Sequence, residues 1–452
     1  MNSHKHSNGF TLIETVVGSA IFALVALAVY QAFVVLMNAT LASEAKVTAT
    51  ELANERFEII RNLPYIDVGI VGGLPVGKIV RTQSITRNNY IFTLTNTIRS
   101  IDDSFDGTAC PNNNPPTCSG TPKDTSPADY KMIDLDISCS NCKNFSPLSF
   151  TTMIAPRALE TATNNGSLFI KAIDNSGNPV VNASIHIVNM QTNPDTIIDD
   201  TTDNSGWLKI VDAPPGTGAY NITATKTGYS QDQTYPVGGA AGASPVKPDA
   251  NVVTQQVTQP SFTIDKLSSL SISSADASCA ALSNIGFSLT GTKLIGTGVL
   301  KYPAHSFTTD SSGNYNIPTI EWDTYSALLT SGSYDLAGAI PFPSFAINPS
   351  ENKTLKLIAV PHVSFALLIS VKDASGNPIN GATVRLQKSP FDQTKTTNSG
   401  TCATPGQVFW NGLGSGTTYT ITVTKTGFQT STTSNYSVSS AWQNKIITLT
   451  PS

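Results

Sequence analysis

The longest apolar stretch of the chain stands near its start. From Phe10 to Met37 (FTLIETVVGSAIFALVALAVYQAFVVLM) the only charge is Glu14, and there is no proline. At roughly 1.5 Å per residue, a helix from Thr15 to Met37 spans a hydrocarbon core of about 30 Å. The pattern predicts one membrane helix and no other. Lys5 lies on the short leading side, which puts the N-terminus in the cytoplasm and the rest outside. Beyond Met37 the helical pattern turns amphipathic. Val47, Ala53, Phe57, Ile60 and Leu63 form one stripe, charged residues lie elsewhere, and Pro64 ends the helix. Residues 65–158 then change to period-two alternation. Strands are expected at Ile79–Ile85, Asn89–Ser100, Lys131–Ser140 and Leu148–Pro156, forming an antiparallel sheet behind the helix.

The remainder is repetitive. Asp174-Asn175-Ser176-Gly177-Asn178-Pro179 matches Asp373-Ala374-Ser375-Gly376-Asn377-Pro378, and Lys226-Thr227-Gly228-Tyr229 matches Lys425-Thr426-Gly427-Phe428, both at an offset of 199 residues. A more divergent middle copy shares the turn Thr308-Thr309-Asp310-Ser311-Ser312-Gly313 with Thr201–Gly206 and Thr396–Gly400. Each unit is short strands broken by Gly, Pro and Asn turns. That reads as three β-sandwiches of two sheets each, at 167–266, 267–359 and 360–452.

Composition narrows the function classes. Charged residues make up 13% and the net charge is −4, so nothing draws the chain to nucleic acid. The five histidines, His4, His6, His186, His305 and His362, form no ligand cluster. No phosphate-binding glycine loop and no nucleophile elbow occur. The sequence therefore reads as non-enzymatic and without a cofactor.

Glu14 decides between readings of the N-terminus. A carboxylate in an apolar helix costs roughly 2.5–3.5 kcal/mol on insertion scales, and such residues are functional by default. A secretory signal peptide would have a shorter apolar core and a small-x-small cut site. A plain signal anchor fits the length but leaves Glu14 unexplained. The run Asn8-Gly9-Phe10-Thr11-Leu12-Ile13-Glu14 resembles the signal of type IV prepilins and pseudopilins. The resemblance implies a leader, residues 1–9, cut after Gly9 by a prepilin peptidase that also methylates Phe10. Residues 10–64 would be the long helix, membrane-spanning in its first half. Cleavage leaves Glu14 fifth in the processed chain, where its carboxylate can pair with the Phe10 ammonium of a neighbouring subunit and neutralise both charges. On this reading the processed helix starts without a polar cap. Residues 65–158 then resemble the pilin head, and the run Asp129–Leu135 with Leu148–Pro156 resembles minor pilins of the pilus-modification type. The sandwiches, first and third above all, resemble carboxypeptidase-regulatory-like domains, a transthyretin-like family.

Outside the cytoplasm, cysteines favour disulfides. Cys110, Cys118, Cys139 and Cys142 are the candidates, with three pairings open. Cys139 and Cys142 have zinc-knuckle spacing, but Cys110 and Cys118 do not. Cys279 and Cys402, alone in separate units, read as buried free thiols. Asp102, Asp103 and Asp106 precede Gly107 in an acidic loop. A solvated turn is the first reading there and a calcium site the second, since some pseudopilins hold calcium near such a loop. Related sandwiches form Lys–Asn crosslinks beside a buried carboxylate, yet no Glu occurs between residues 161 and 320 or after Glu351. Trp207, Trp322, Trp410 and Trp442 are core candidates first and sugar-stacking candidates second. The expected function is a minor pilin or pseudopilin, with pilin subunits and the assembly machinery as partners. It would rest in the inner membrane before assembly and at the surface after it. The alternative is a membrane-anchored surface protein, glycan-binding in one form, that never enters a filament.

Overall fold

The computed structural model describes residues 11–452 apart from 104, 106, 109–116, 119–120, 123, 125, 157–163, 331, 399–401 and 403; of 117, 118, 121 and 122 it describes the backbone alone. Helix α1 runs from Leu12 to Arg61. Its 50 residues correspond to a rod about 75 Å long at roughly 1.5 Å per residue. Asn62 rather than Pro64 closes it, with Nδ2 donating to Glu58 O at 2.8 Å. Pro64 opens a one-turn 3₁₀ helix, Tyr65–Asp67. The first half of α1 has no buried residue. In the second half Ala45, Thr48, Ala49, Leu52, Ala53, Phe57 and Ile60 are buried. Val47, expected on this stripe, is 56% exposed. Ala53, Phe57 and Ile60 are buried as expected, and Ala45, Ala49 and Leu52 take the place of Val47 on the buried face.

That sheet is an antiparallel meander of Thr82–Arg87, Tyr90–Ile101, Tyr130–Cys139 and Leu148–Ile154, in that order. Alternation decides which residues meet the helix. Phe92, Leu94 and Ile98 from one strand and Ile133, Leu135 and Ile137 from its neighbour form one core with Leu52, Phe57 and Ile60.

Three two-sheet sandwiches complete the chain. In each, the first strand is central, paired antiparallel on one side and parallel to the unit's last strands on the other. Gly166–Ile173 pairs Trp207–Ala213 and, in parallel, Ser261–Thr263. Ser268–Ala275 pairs Asn314–Ile320 and, in parallel, Asn352–Pro361. Ala366–Lys372 pairs Gln407–Trp410 and, in parallel, Trp442–Thr448. The shared turn motif has a buried role. Thr202, Thr309 and Thr397 are nearly inaccessible. Their hydroxyls accept from Ala183 N (2.9 Å), Ile285 N (3.0 Å) and Ala382 N (2.9 Å). Each thus satisfies a main-chain donor that strand pairing leaves over. Tyrosine recurs as well. Tyr220 and Tyr325 donate to Pro214 O (2.7 Å) and Glu321 O (2.8 Å), and the Tyr419 hydroxyl accepts from Gly414 N at 3.2 Å. Burial pushes the Tyr220 hydroxyl up to about 12.

Candidate assembly site at the N-terminal helix

Gly9 and Phe10 lie outside the described residues. The described part of the site begins at Thr11. Thr11 is the N-cap of α1, in extended conformation, and Glu14 sits at the third helical position. Their spacing makes a capping box. Glu14 N donates to Thr11 Oγ1 at 3.3 Å, while Glu14 Oε2 accepts from Thr11 N and Thr11 Oγ1, both at 2.9 Å. The expectation of an uncapped helix start is therefore corrected. Thr-x-x-Glu supplies the cap locally, and the carboxylate stabilises the helix end it belongs to. Among the described residues, both bonds that Glu14 accepts use Oε2 and none engages Oε1. From Thr15 to Met37 the helix carries no charge, and large side chains such as Phe22, Leu24 and Leu36 stand exposed. A soluble helix would not show that pattern. Among the described residues α1 is the one helix long and apolar enough to cross a membrane.

Two polar devices tie the turn after the helix to the sheet and the sheet to the first sandwich. Lys131 points inward from its strand and is 7% exposed. Its ammonium donates to Tyr65 O at 2.9 Å and Val68 O at 2.6 Å, and lies over the Tyr65 ring. The turn after α1 is thereby pinned to the sheet. Burial holds the Lys131 ammonium below the ordinary lysine value. Its signal was parity: Lys131 shares the inward face with Ile133, Leu135 and Ile137. Arg99 makes the second device. Its guanidinium grips Asp200 of the first sandwich through Nε at 2.5 Å and a second nitrogen at 2.8 Å, and reaches Asp134 at 3.2 Å. Nearby, Ile197 N donates to Gly72 O at 2.6 Å. The sheet is thus joined to the first sandwich by charge contacts, and the loop before its first strand by a main-chain bond.

The other sequence candidates fall in several places. Cys139 and Cys142 are bonded to each other. Cys110 and the side chain of Cys118 lie outside the described residues. Cys279 and Cys402 are not free thiols but a disulfide. Each looked solitary because each was read within its own unit, and the fold brings the two loops together. Asp106 is outside the described residues. Asp103 is turned to local work, its Oδ1 accepting from Phe105 N at 2.8 Å. Among the described residues no group of three metal-ligating side chains forms, Asp102 and Asp103 included. The Asp-x-Ser-Gly turns are Asx turns: Asp174, Asp203 and Asp310 accept through Oδ1 from Ser176 N, Ser205 N and Ser312 N, each at 2.8 Å. In the third unit Asp373 Oδ1 also accepts from Asn377 N at 2.8 Å and Oδ2 from Asn377 Nδ2 at 3.0 Å. These bonds from Asn377 hold its carboxyl below the usual range. Trp410 is buried in the third core. Trp207 and Trp322 lie under Lys171 and Lys293, and Trp442 donates to Leu336 O of the second sandwich at 2.7 Å.

Residues 4–30 match the family model of the prokaryotic N-terminal methylation motif. Residues 367–450 match that of the carboxypeptidase regulatory-like domain. No curated protein matches the sequence. Among solved structures, the Bacillus anthracis TIE protein is 14% identical, with 82% of this chain and 73% of that one covered at a TM-score of 0.21. A streptococcal ancillary pilin is 11% identical, with 64% and 99% covered at 0.18. A shaft pilin from Lactobacillus rhamnosus GG is 16% identical, with 44% and 97% covered at 0.18. Likenesses at this level say nothing about what this chain binds. The methylation motif, with the apolar helix behind it, supports a pilin-type surface protein that is anchored in a membrane, processed by a prepilin peptidase and assembled with pilin subunits.

Proposed function

We propose that this protein is a minor pilin or pseudopilin, cut after Gly9, N-methylated at Phe10 and held in a filament by its first helix. It rests as a single-pass protein of the cytoplasmic membrane until it is assembled. The observation that carries this reading is Glu14, the one charge in the stretch Phe10–Met37, at the head of a helix half that is otherwise exposed and apolar. In an apolar surrounding that carboxylate needs a cationic partner. The Phe10 ammonium of a neighbouring subunit is one, and Oε1 has room for it. The role is structural. The head spans 65–158, and the sandwiches, divided at 167–266, 267–359 and 360–452, stand away from the filament for adhesion or spacing. Arg99 bound to Asp200 supports a stalk that leaves the head in one direction.

Mass spectrometry of the N-terminus tests the processing: N-methyl-Phe10 is expected, and an intact Met1 refutes it. Glu14→Ala should leave cleavage intact and remove the protein from sheared filaments. Wild-type protein that is processed yet absent from filaments would instead establish a membrane-anchored surface protein. A glycan array with the full chain separates adhesion from spacing.

A further inference from the structure

The second and third sandwiches are joined by the Cys279–Cys402 bond, across a sequence separation of 123 residues. Cys279 lies in the turn after Ser268–Ala275, the first strand of the second sandwich. Cys402 lies between Phe391–Thr396 and Gln407–Trp410 of the third. The surroundings fit a built seam. Cys402 N donates to Ala277 O at 3.2 Å, and Ala275, Ile358 and Cys402 form a small buried cluster. Beside it, Gln407 acts as a strand residue would. Its Oε1 accepts from Ala339 N at 3.0 Å and its Nε2 donates to Ala339 O at 2.7 Å.

We propose that this bond is a mechanical clamp that makes the second and third sandwiches one force-bearing unit. A pull between the N-terminal helix and the C-terminus enters the second sandwich at its first strand and reaches Cys279 just beyond it. There it crosses the disulfide to Cys402 and leaves through the C-terminal strands. The chain between the two cysteines carries no load. It holds the rest of the second sandwich and the first three strands of the third. Fully extended, 123 residues span roughly 410–440 Å at 3.3–3.6 Å each. That length stays folded away while the bond stands. Gln407 and Trp442 hold the seam without it, so reduction changes nothing at rest and acts only under force. The clamp works in the same way whether or not the chain enters a filament.

The test is single-molecule force spectroscopy on the full chain in detergent, tethered at the N-terminus and pulled at the C-terminus. Cys279 is exposed, so reductant reaches it. Oxidised protein should release roughly 400 Å less total extension than reduced protein or the Cys279→Ser/Cys402→Ser variant. Equal extension overturns the proposal. So does finding both thiols free in non-reducing peptide mass spectrometry. If the variant misfolds, reductant on the wild type decides.

Discussion

Gly296 offers a sharp test of how the first two sandwiches meet. It ends the short strand Leu294–Gly296, which lies against the segment around Ala241 in the first sandwich. A Cβ at Gly296 would stand 1.8 Å from Ala241 O and 2.8 Å from Ala241 C. Both are main-chain atoms, so no rotamer change relieves the clash. Real Cβ contacts begin near 3.0 Å, so the two segments must part by more than about 1 Å. Two hydrogen bonds cross this seam, Val246 N to Ile295 O at 2.8 Å and Thr297 N to Ser244 O at 3.0 Å. The displacement carries both beyond hydrogen-bonding range. At about 0.5–1.5 kcal/mol each, the seam loses about 1–3 kcal/mol. That is about a 5- to 150-fold rise in its opening. Hydrogen exchange reads this directly, because Val246 and Thr297 are the donors. In Gly296→Ala both amides should exchange faster by that factor, while amides of the strand Gly166–Ile173 keep their protection. Gly298 is the control. It has φ +72° with nothing near its Cβ position, so Gly298→Ala strains the backbone by about 1–2 kcal/mol and leaves the seam amides alone. Unchanged protection at Val246 and Thr297 in Gly296→Ala, or equal loss in both variants, refutes the reasoning.

Lys131→Met keeps the long side chain but removes two bonds to Tyr65 O and Val68 O. Relief of the buried ammonium offsets part of that loss, so the net cost is about 1–2 kcal/mol; amides between Tyr65 and Val80 should exchange faster, and unaltered exchange would remove Lys131 from its pinning role. The Asp373 carboxylate titrates below its ordinary value of 3.8 because Asn377 binds the charged form. A depressed carboxylate contributes stability that is present above the unfolded value and is lost as pH falls through the folded one. NMR titration of Asp373 should therefore give a midpoint below 3.8, and Asn377→Ala should return it towards that value.

Much of the architecture was legible in the sequence because the forces behind it are local. The uncharged run after Glu14 makes a helix that only lipid or other apolar helices can surround. Alternation in Tyr90–Ile101 and Tyr130–Cys139 sends Leu94 and Leu135 inward, since successive side chains on a strand point to opposite faces. Asp-x-Ser-Gly closes its own turn within four residues. Even the cap at Thr11, absent from the expected helix start, was written in the Thr-x-x-Glu spacing.

The features that the tertiary structure alone decided lie between units. Cys279 and Cys402 each looked solitary. Arg99, Gln407 and Gly296 take their roles from contacts between units. Val47 is exposed, and Ala45 and Ala49 are buried in its place. Each of these depends on how two folded pieces meet, and such a meeting leaves no period, spacing or turn signal in the residues nearby. Glu14 belongs to both sides of the divide. Its place in the helix is set by the residues next to it, and the partner proposed for it lies on another subunit.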